Sequence, residues 1–325
     1  MSSQKARNLS AFWKLISRLE RQRKSRIYCL IHGHDDHGHF CGGPTFAAVL
    51  SERDRLGDID TLEILLHSPG GDADVAYQIV RCFRRHCKKL NVLVPLYAKS
   101  AATLMCLGAD AIFMGELAEL GPIDVQITDP VEKGNKQISP LDEFKSAEFL
   151  RDYSVEILDI FTLLILRRSG MSVKESLHEA LHFTAEITRP LYEQLDPLEI
   201  GEYKRSLAIG EEYGNRLLAM TKNPYRRSII EALVSKYPSH GFVIDRNEAR
   251  SMGLPVHPLN KSQEGLLIPA ISSILESGES LYGFHQLQPK SATKPVKAAK
   301  PAKPVGKPPT SKQPAAKPTV VAAAG

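Results

Sequence analysis

Short apolar runs alternate with helical patterns through the first 130 residues of this 325-residue chain. The runs predict strands, and the intervening segments repeat apolar positions every three or four residues, as helices do. The predicted strands are 26–31, 61–67, 91–96, 111–114 and 123–127; the predicted helices are 6–23, one that begins at Pro44, 72–88 and 100–108. Strands that alternate with helices indicate an α/β fold with a mostly parallel sheet and right-handed crossovers.

The second half of the chain has mainly helical patterns. The predicted helices are 142–168, 172–182, 185–195, 200–220, 225–237, 245–252 and 263–276. We therefore expect four parts: an N-terminal amphipathic helix (1–24), an α/β core (25–138), a helical region that completes or covers the core (139–287), and a tail (288–325).

The tail changes the meaning of the net charge of +5. It holds eight lysines and no acid, so the rest of the chain has 34 basic against 37 acidic residues. Its Lys/Pro/Ala-rich composition predicts disorder, because it has too few bulky apolar side chains to form a core. Two interpretations stay open for residues 288–325: a solubilising segment, or a weak contact with nucleic acid or another polyanion.

Cysteine usage and hydropathy predict a cytoplasmic protein without a transmembrane segment. The five cysteines are scattered and odd in number, as is typical of reduced thiols. The longest apolar run, 160–166, is far too short to cross a bilayer. No pyridoxal, nicotinamide or ATPase signature is present, and we expect no cofactor.

Two strand-to-helix corners carry the candidate chemistry. The strand 61–67 leads into Ser68-Pro69-Gly70-Gly71-Asp72, and the strand 91–96 leads into Tyr97-Ala98-Lys99-Ser100-Ala101-Ala102-Thr103. Gly70 and Gly71 allow a sharp turn whose backbone amides can approach a substrate closely. Ser100 offers a hydroxyl at the other corner. Because both corners follow strand ends of one βαβ unit, the pattern predicts a nucleophile beside an oxyanion site, rather than two ordinary turns with a capping serine.

The motifs around these corners resemble the serine dehydrogenase proteinase family, a Clp-protease/crotonase-superfamily branch related to signal peptide peptidase A. The matching segments are His67-Ser68-Pro69-Gly70-Gly71, Tyr97-Ala98-Lys99-Ser100-Ala101-Ala102-Thr103-Leu104, Leu107-Gly108-Ala109-Asp110 and Glu119-Leu120-Gly121-Pro122-Ile123-Asp124. The resemblance implies a Clp/crotonase-like fold and a serine peptidase with Ser100 as nucleophile. It also implies oxyanion amides from Gly71 and Ala101, next to Gly70, a peptide or protein substrate, and a homo-oligomer.

The general base does not follow from the resemblance, because neither the histidine of Clp peptidases nor the lysine of the membrane-peptidase branch has a counterpart at the matching position. Four candidates remain. Lys99 adjoins the serine, Asp124 ends a predicted strand, His240 lies in a loop that can fold over the site, and His67 precedes the oxyanion turn.

A histidine-rich loop, residues 32–41, contains four histidines, two aspartates and a thiol. Such side chains suit zinc or nickel, but the loose spacing and the glycines favour a flexible rim near the substrate groove over a metal site. Two other functions remain alternatives: a crotonase-like enzyme that acts on acyl thioesters, and a catalytically inactive scaffold that uses the tail to bind a polyanion.

Overall fold

The molecule is built around a six-stranded sheet, in a computed structural model that describes residues 3–33, 40–53, 56–123, 127–128, 137–138, 140–237, 239 and 241–285. In chain order the strands are β1 (Arg26–Ile31), β2 (Ile59–His67), β3 (Cys87–Val94), β4 (Tyr97–Ala98), β5 (Ala111–Met114), β6 (Glu119–Leu120), β7 (Ile127–Thr128), β8 (Gln137–Ile138), β9 (Ile244–Asp245), β10 (Val256–Pro258) and β11 (Leu281–Phe284). The helices are α1 (Ser3–Arg23), α2 (Gly43–Glu52), α3 (Ala73–Arg84), α4 (Ala101–Leu107), α5 (Pro140–Ser169), α6 (Val173–Tyr192), α7 (Pro197–Thr221), α8 (Arg226–Glu231), α9 (Arg246–Ser251) and α10 (Lys261–Leu275), and a π-helical turn spans Ala232–Lys236.

The central sheet has the order β10-β5-β3-β2-β1-β11. All neighbouring strands are parallel except β11, which runs antiparallel to β1 at one edge. A second, three-stranded sheet has the order β4-β6-β9 and lies beyond the carboxyl end of β3. The predicted fold class is thereby confirmed: a mostly parallel α/β sheet is followed by a largely helical second half.

Alternating strand residues face two separate cores. On one face, Phe12, Ile16 and Leu19 recur at helical spacing on α1 and are buried with Ile271 of α10. On the other face, α3 and α4 bury their apolar positions against β2 and β3, and α7 packs on both helices. Burial of about 25 cal/mol per Å² of apolar surface makes these two layers the main stabilising contribution to the fold.

Several element boundaries differ from those predicted. The helix predicted over 72–88 ends at Arg84, and the next strand begins at Cys87, not at residue 91. The reason is that Lys88 and Lys89 are exposed at the margin of the sheet, so the beginning of β3 lacks an apolar pattern. The helices predicted over 172–182 and 185–195 form one continuous helix, α6.

The fifth strand, predicted over 123–127, agrees with the described structure only at Ile127, and residues 124–126 lie outside the described residues. The chain pairs earlier, at Glu119–Leu120, and Ile123 is not in a strand. Ile127–Thr128 forms a short antiparallel hairpin with Gln137–Ile138, so strand residues occur at both ends of the segment 128–138, which was predicted to be a loop. The strands β9, β10 and β11 were not predicted, since runs of two to four residues give no periodic signal.

Some predictions fall outside the described residues: the disorder of the tail 288–325, and the conformation of 34–39 and 129–136. The division into four parts stays a prediction, although the residues up to His285 form one unit. None of the helices that the structure describes combines the length and the apolar character needed to span a bilayer.

Candidate active site

The first corner is a tight turn between β2 and α3. Gly70 and Gly71 have φ angles of 118° and 130°, a conformation that side chains with a Cβ rarely adopt. Asp72 ends the turn and caps α3, because its carboxylate accepts hydrogen bonds from the amides of Asp74 (2.8 Å) and Val75 (3.3 Å). The sequence therefore folds the turn locally through two glycines and one capping side chain.

Cys41 holds this turn from one side through its backbone. Its N–H donates to the carbonyl of Gly70 (2.7 Å), and its carbonyl accepts from the N–H of Asp72 (2.7 Å). In such a parallel bridge the bonds come from the residues on either side of Gly71, so the N–H of Gly71 points away from Cys41. A Cβ on Gly71 would lie 2.4 Å from the Cys41 carbonyl oxygen, which restricts this position to glycine.

The two glycine amides of the turn differ in their environment. The N–H of Gly70 donates to the hydroxyl of Ser68 at 3.1 Å, so this amide is already engaged inside the turn. No residue within the described ranges accepts a hydrogen bond from the N–H of Gly71. Gly71 is thus the better placed of the two to donate to a substrate oxygen.

The second corner places Ser100 between β4 and α4. Ser100 has φ 50° and ψ −120°, a strained conformation for a residue with a side chain, and is 5% exposed. Strain of this kind costs on the order of 1–3 kcal/mol and persists only where the surroundings enforce it. A strained serine at a strand-to-helix turn is also the arrangement that presents the nucleophile in G-x-S-x-G hydrolases.

Backbone hydrogen bonds fix the second corner against the first. The N–H of Ser68 donates to the carbonyl of Tyr97 (3.2 Å), and the N–H of Lys99 donates to the carbonyl of Ser68 (3.0 Å). The hydroxyl of Thr103 donates to the carbonyl of Ala98 (2.7 Å), which anchors the first turn of α4. These bonds leave Ser100 little freedom to relax its φ angle.

The two corners meet at Gly70 and Ser100. A Cβ built on Gly70 would lie 2.6 Å from the Cβ of Ser100 and 3.2 Å from its hydroxyl oxygen. The serine side chain therefore occupies the space that a side chain at position 70 would fill. The serine that the sequence predicts as a nucleophile and the glycine turn that it predicts as an oxyanion site thus lie side by side.

Lys99 extends away from the turn towards the small sheet. Its ammonium group makes an ion pair with Glu119 (2.6 Å) and donates to the carbonyls of Leu120 and Phe242 (both 3.3 Å). These three acceptors fix the position of the ammonium group and tie the residue before Ser100 to the small sheet. The assignment of Lys99 as a base stays a prediction.

For two of the other three proposed bases, the structure describes only neighbouring residues. Asp124 and His240 lie outside the described residues. The chain before Asp124 is held where the N–H of Ile123 donates to the carbonyl of Leu233 (3.1 Å), and the chain after His240 returns at Phe242 to Lys99. His67 is buried, and its ring packs on Tyr97 with centroids 4.1 Å apart.

Burial also shapes the acid–base properties of the neighbouring side chains. It raises the pKa of Tyr97 to about 12, with the nearby Glu119 carboxylate adding to the shift. Burial likewise raises the pKa of the Cys41 thiol to about 12, with a smaller contribution from Asp72. Both groups are therefore neutral near pH 7, and Cys41 is not a thiolate nucleophile.

Of the histidine, aspartate and cysteine side chains in the histidine-rich loop, two lie within the described ranges. His32 is buried, with its Nε2 3.2 Å from the hydroxyl of Thr45, and Cys41 supports the glycine turn. Among the residues that the structure describes, no three His, Cys, Asp or Glu side chains are grouped so as to hold a metal ion.

The sequence did not point to the roles of Cys41, Glu119 and Phe242. Cys41 and Phe242 act through backbone atoms, which leave no side-chain signature. Glu119 falls within the matching motif, but nothing in its spacing indicates an ion pair with Lys99.

Comparisons with known proteins agree with the motifs. The family model of the ClpP-like SDH-type serine proteinase matches residues 2–162. Two uncharacterised proteins of Methanocaldococcus jannaschii are each 34% identical over 122 residues, which is 35% of this chain and 42% and 41% of theirs. The chain thus spans about two fifths of the length of these curated relatives.

Two solved structures also show similarity, both of the 1510-N membrane-bound stomatin-specific protease. A serine-to-alanine mutant is 18% identical with a TM-score of 0.22, covering 40% of this chain and 57% of that one. A lysine-to-alanine mutant in complex with a substrate peptide is 17% identical with a TM-score of 0.25, covering 72% and 94%. TM-scores this low support no conclusion about fold or function. The family match supports one: residues 2–162 of the chain belong to the ClpP-like SDH-type serine proteinase family, as the motifs predict.

Proposed function

We propose that this protein is a serine hydrolase, an ATP-independent peptidase with Ser100 as its nucleophile. The observation that carries the proposal is the contact between the strained Ser100 and the glycine turn at Gly70. A hydroxyl held against an outward-pointing backbone amide is the minimum equipment for acyl transfer. The family match supports the same chemistry.

In this mechanism Ser100 attacks the carbonyl carbon of the peptide bond, and a base takes the hydroxyl proton. The N–H groups of Gly71 and Ala101 donate to the oxyanion as it forms, while Gly70 keeps the turn close to the serine. The base returns the proton to the leaving amine as the C–N bond breaks; it then takes a proton from a water molecule that attacks the acyl-enzyme, and the acid product leaves as Ser100 regains its proton. Asp124 and His240 remain the proposed bases, since each adjoins a segment attached to Lys99, the residue that precedes Ser100.

The substrate proposed here is a peptide or protein segment in an extended conformation. Cys41 already occupies one side of the Gly70–Asp72 backbone, so a peptide would align along the opposite side, where the N–H of Gly71 points. This arrangement would bring the scissile carbonyl to Ser100 and leave specificity to the side chains that border the turn.

A fluorophosphonate probe tests the assignment of the nucleophile. Wild-type protein should be labelled and the Ser100→Ala variant should not, while the matched variant Ser251→Ala, which alters an exposed serine of α9, should react as wild type does. Labelling of Ser100→Ala at the wild-type rate would remove Ser100 as nucleophile. Failure of both proteins to react would favour the inactive scaffold, and retention of coenzyme A would favour the crotonase-like enzyme.

Substitution of the two proposed bases separates them. Replacement of the true base should lower peptide turnover by about 10²–10⁴-fold and leave the stability of the protein unchanged. We therefore compare Asp124→Asn with His240→Gln, each against its own melting temperature. Equal, small losses for both variants would argue against either assignment.

The assembly and location are proposed on separate grounds. We propose a homo-oligomer, because α5 and α6 expose large apolar side chains, among them Phe149, Val155, Ile160, Leu163, Val173, Leu177 and Leu181. A cytoplasmic location is proposed because all five cysteines are free thiols. A weak polyanion contact through residues 288–325 remains a proposal from composition alone.

A further inference from the structure

A groove between α2 and α3 is lined by basic side chains and lies away from the candidate active site. Its cavity has a volume of about 210 Å³. One side of each helix faces the groove. From α2 and the residue after it come Phe46, Leu50 and Arg53. From α3 and the residues after it come Gln78, Arg81, Cys82, Arg85 and His86. Their spacings of three and four place each set on one helical face.

The chemistry of these positions is unusual for two helices that face each other. Such stripes are normally apolar and close upon one another. Here three arginines and a histidine line the cavity, and no acid does. Arg81 and Arg85 are one turn apart, where like charges repel, and neither forms a salt bridge with any other residue in the described part of the chain.

Positive charge from both helices reaches the same point in the groove. Burial raises the pKa of the Cys82 thiol, and Arg53 and Arg85 oppose that rise from two different segments. Arg53, Cys82 and Arg85 all line the groove, so the two arginines reach it from two different segments. Phe46 and Leu50 provide an apolar wall beside them.

We propose that this groove binds the phosphate group of a small phosphorylated molecule. Guanidinium groups bind phosphate through paired hydrogen bonds, and several of them around one cleft suit a doubly charged anion better than a carboxylate. The cavity is smaller than the about 300–1,000 Å³ of typical drug-sized ligand sites, so the body attached to the phosphate is small. Phe46 and Leu50 favour an apolar or planar body.

The location separates this site from the proposed hydrolase chemistry. The glycine turn precedes the first residue of α3, whereas Arg81 and Arg85 lie in and just after its last turn, roughly 12–18 Å along the helix at 1.5 Å per residue. Phosphate binding therefore does not require Ser100. A Ser100→Ala variant should bind the probes as wild type does, so failure of the hydrolase proposal would leave this one standing.

Calorimetric titration of the full chain with inorganic phosphate, pyrophosphate and phenyl phosphate tests the site, with chloride added to hold the ionic strength constant. We expect phenyl phosphate to bind with a Kd below about 1 mM. The double variant Arg81→Gln/Arg85→Gln should weaken binding about tenfold or more. The control Arg216→Gln/Arg227→Gln removes the same charge from exposed arginines of α7 and α8 and should bind as wild type does.

Three results would overturn the proposal. The first is that wild type shows no binding when the phenyl phosphate concentration is about 10-fold the expected Kd. The second is that wild type and Arg81→Gln/Arg85→Gln bind phenyl phosphate with equal affinity. The third is binding of benzoate as tightly as phenyl phosphate, which would show a site for carboxylates. A melting curve of each variant without ligand identifies any loss of folding, and Arg85→Lys, which keeps the charge, should retain part of the affinity.

Discussion

Lys99 Nζ lies 3.3 Å from the carbonyl oxygen of Phe242, although 143 positions separate the two residues in the sequence. The same ammonium binds Glu119 and the carbonyl of Leu120. It thereby links the residue after β4 to β6 and to the chain just before β9, next to Ser100. The segments that lead to Asp124 and from His240 are both attached to it.

This relationship predicts a positioning role for Lys99. Lys99→Met should slow fluorophosphonate labelling of Ser100 by about tenfold and destabilise the fold by about 1–3 kcal/mol, because one partly buried carboxylate and two carbonyls lose their donor. Lys99→Arg keeps the charge and should restore most of the rate. If Arg and Met variants were equally inactive and both as stable as wild type, Lys99 would instead be the base.

The contact between Gly70 and Ser100 predicts that glycine is required at position 70. In Gly70→Ala the added methyl would lie 2.6 Å from the Ser100 Cβ, so the serine must move and labelling should fall at least about a hundredfold. Gly57→Ala is the matched control, since Gly57 also has a positive φ (51°) but nothing within 4 Å of the added methyl. The control should lose about 1 kcal/mol of stability and keep its labelling rate. Similar rates for the two variants would contradict the contact.

A buried ion pair that fastens α1 to the sheet gives a prediction on stability alone. The Glu63 carboxylate is 2% exposed and accepts hydrogen bonds from Arg23 (2.6 and 2.8 Å) and Ser25 (2.8 Å). Arg23→Met would leave this carboxylate buried without its cation, at a cost of about 3–5 kcal/mol. Chemical denaturation measures the loss.

The exposed pair Lys88–Asp60, whose side chains are 81% and 83% exposed, is the control for this ion pair. Lys88→Met should leave the free energy of unfolding nearly unchanged, because solvent screens an exposed pair. A loss in Arg23→Met no larger than that in Lys88→Met would show that the buried pair contributes little.

The Cys41 thiol predicts a pH dependence of stability. Its pKa is about 12 in the folded protein because of burial, and about 9 when unfolded. Between these values the unfolded chain releases a proton that the folded chain keeps, so the contribution is complete below pH 9 and is lost as pH rises towards 12. From pH 8 to pH 10, under reducing conditions, wild type should lose about 1.4 kcal/mol more than Cys41→Ala. Identical pH profiles would show that Cys41 is not buried as described.

The sequence was sufficient to predict which residues meet at the glycine turn. Gly70 and Ser100 follow strands that became neighbours in a parallel sheet, and side chains at the carboxyl ends of such strands lie together for geometric reasons. The contacts of Lys99 could not be predicted in this way. Its partners come from positions 119 to 242, and only the pairing of β4, β6 and β9 brings them together.

The hydrogen bonds by which Cys41 supports the glycine turn could not be predicted from the sequence either, for another reason. It acts through its N–H and C=O groups, which every residue except proline carries, so the residue type gives no signal. The short strands β10 and β11 were missed in the same way, because their place in the sheet depends on partners supplied by the first half of the chain.

The apolar surface of α6 predicts self-association. Val173, Leu177 and Leu181 recur every four residues on one side of the helix and are 63%, 41% and 50% exposed. If a second copy covers them, Leu177→Gln/Leu181→Gln should lower the molecular mass measured by analytical ultracentrifugation, with the helix content unchanged. Leu117→Gln is the control, because Leu117 is 87% exposed on a turn and stands alone. An unchanged mass in the α6 variant, or a monomeric wild type at micromolar concentration, would remove this helix as the interface.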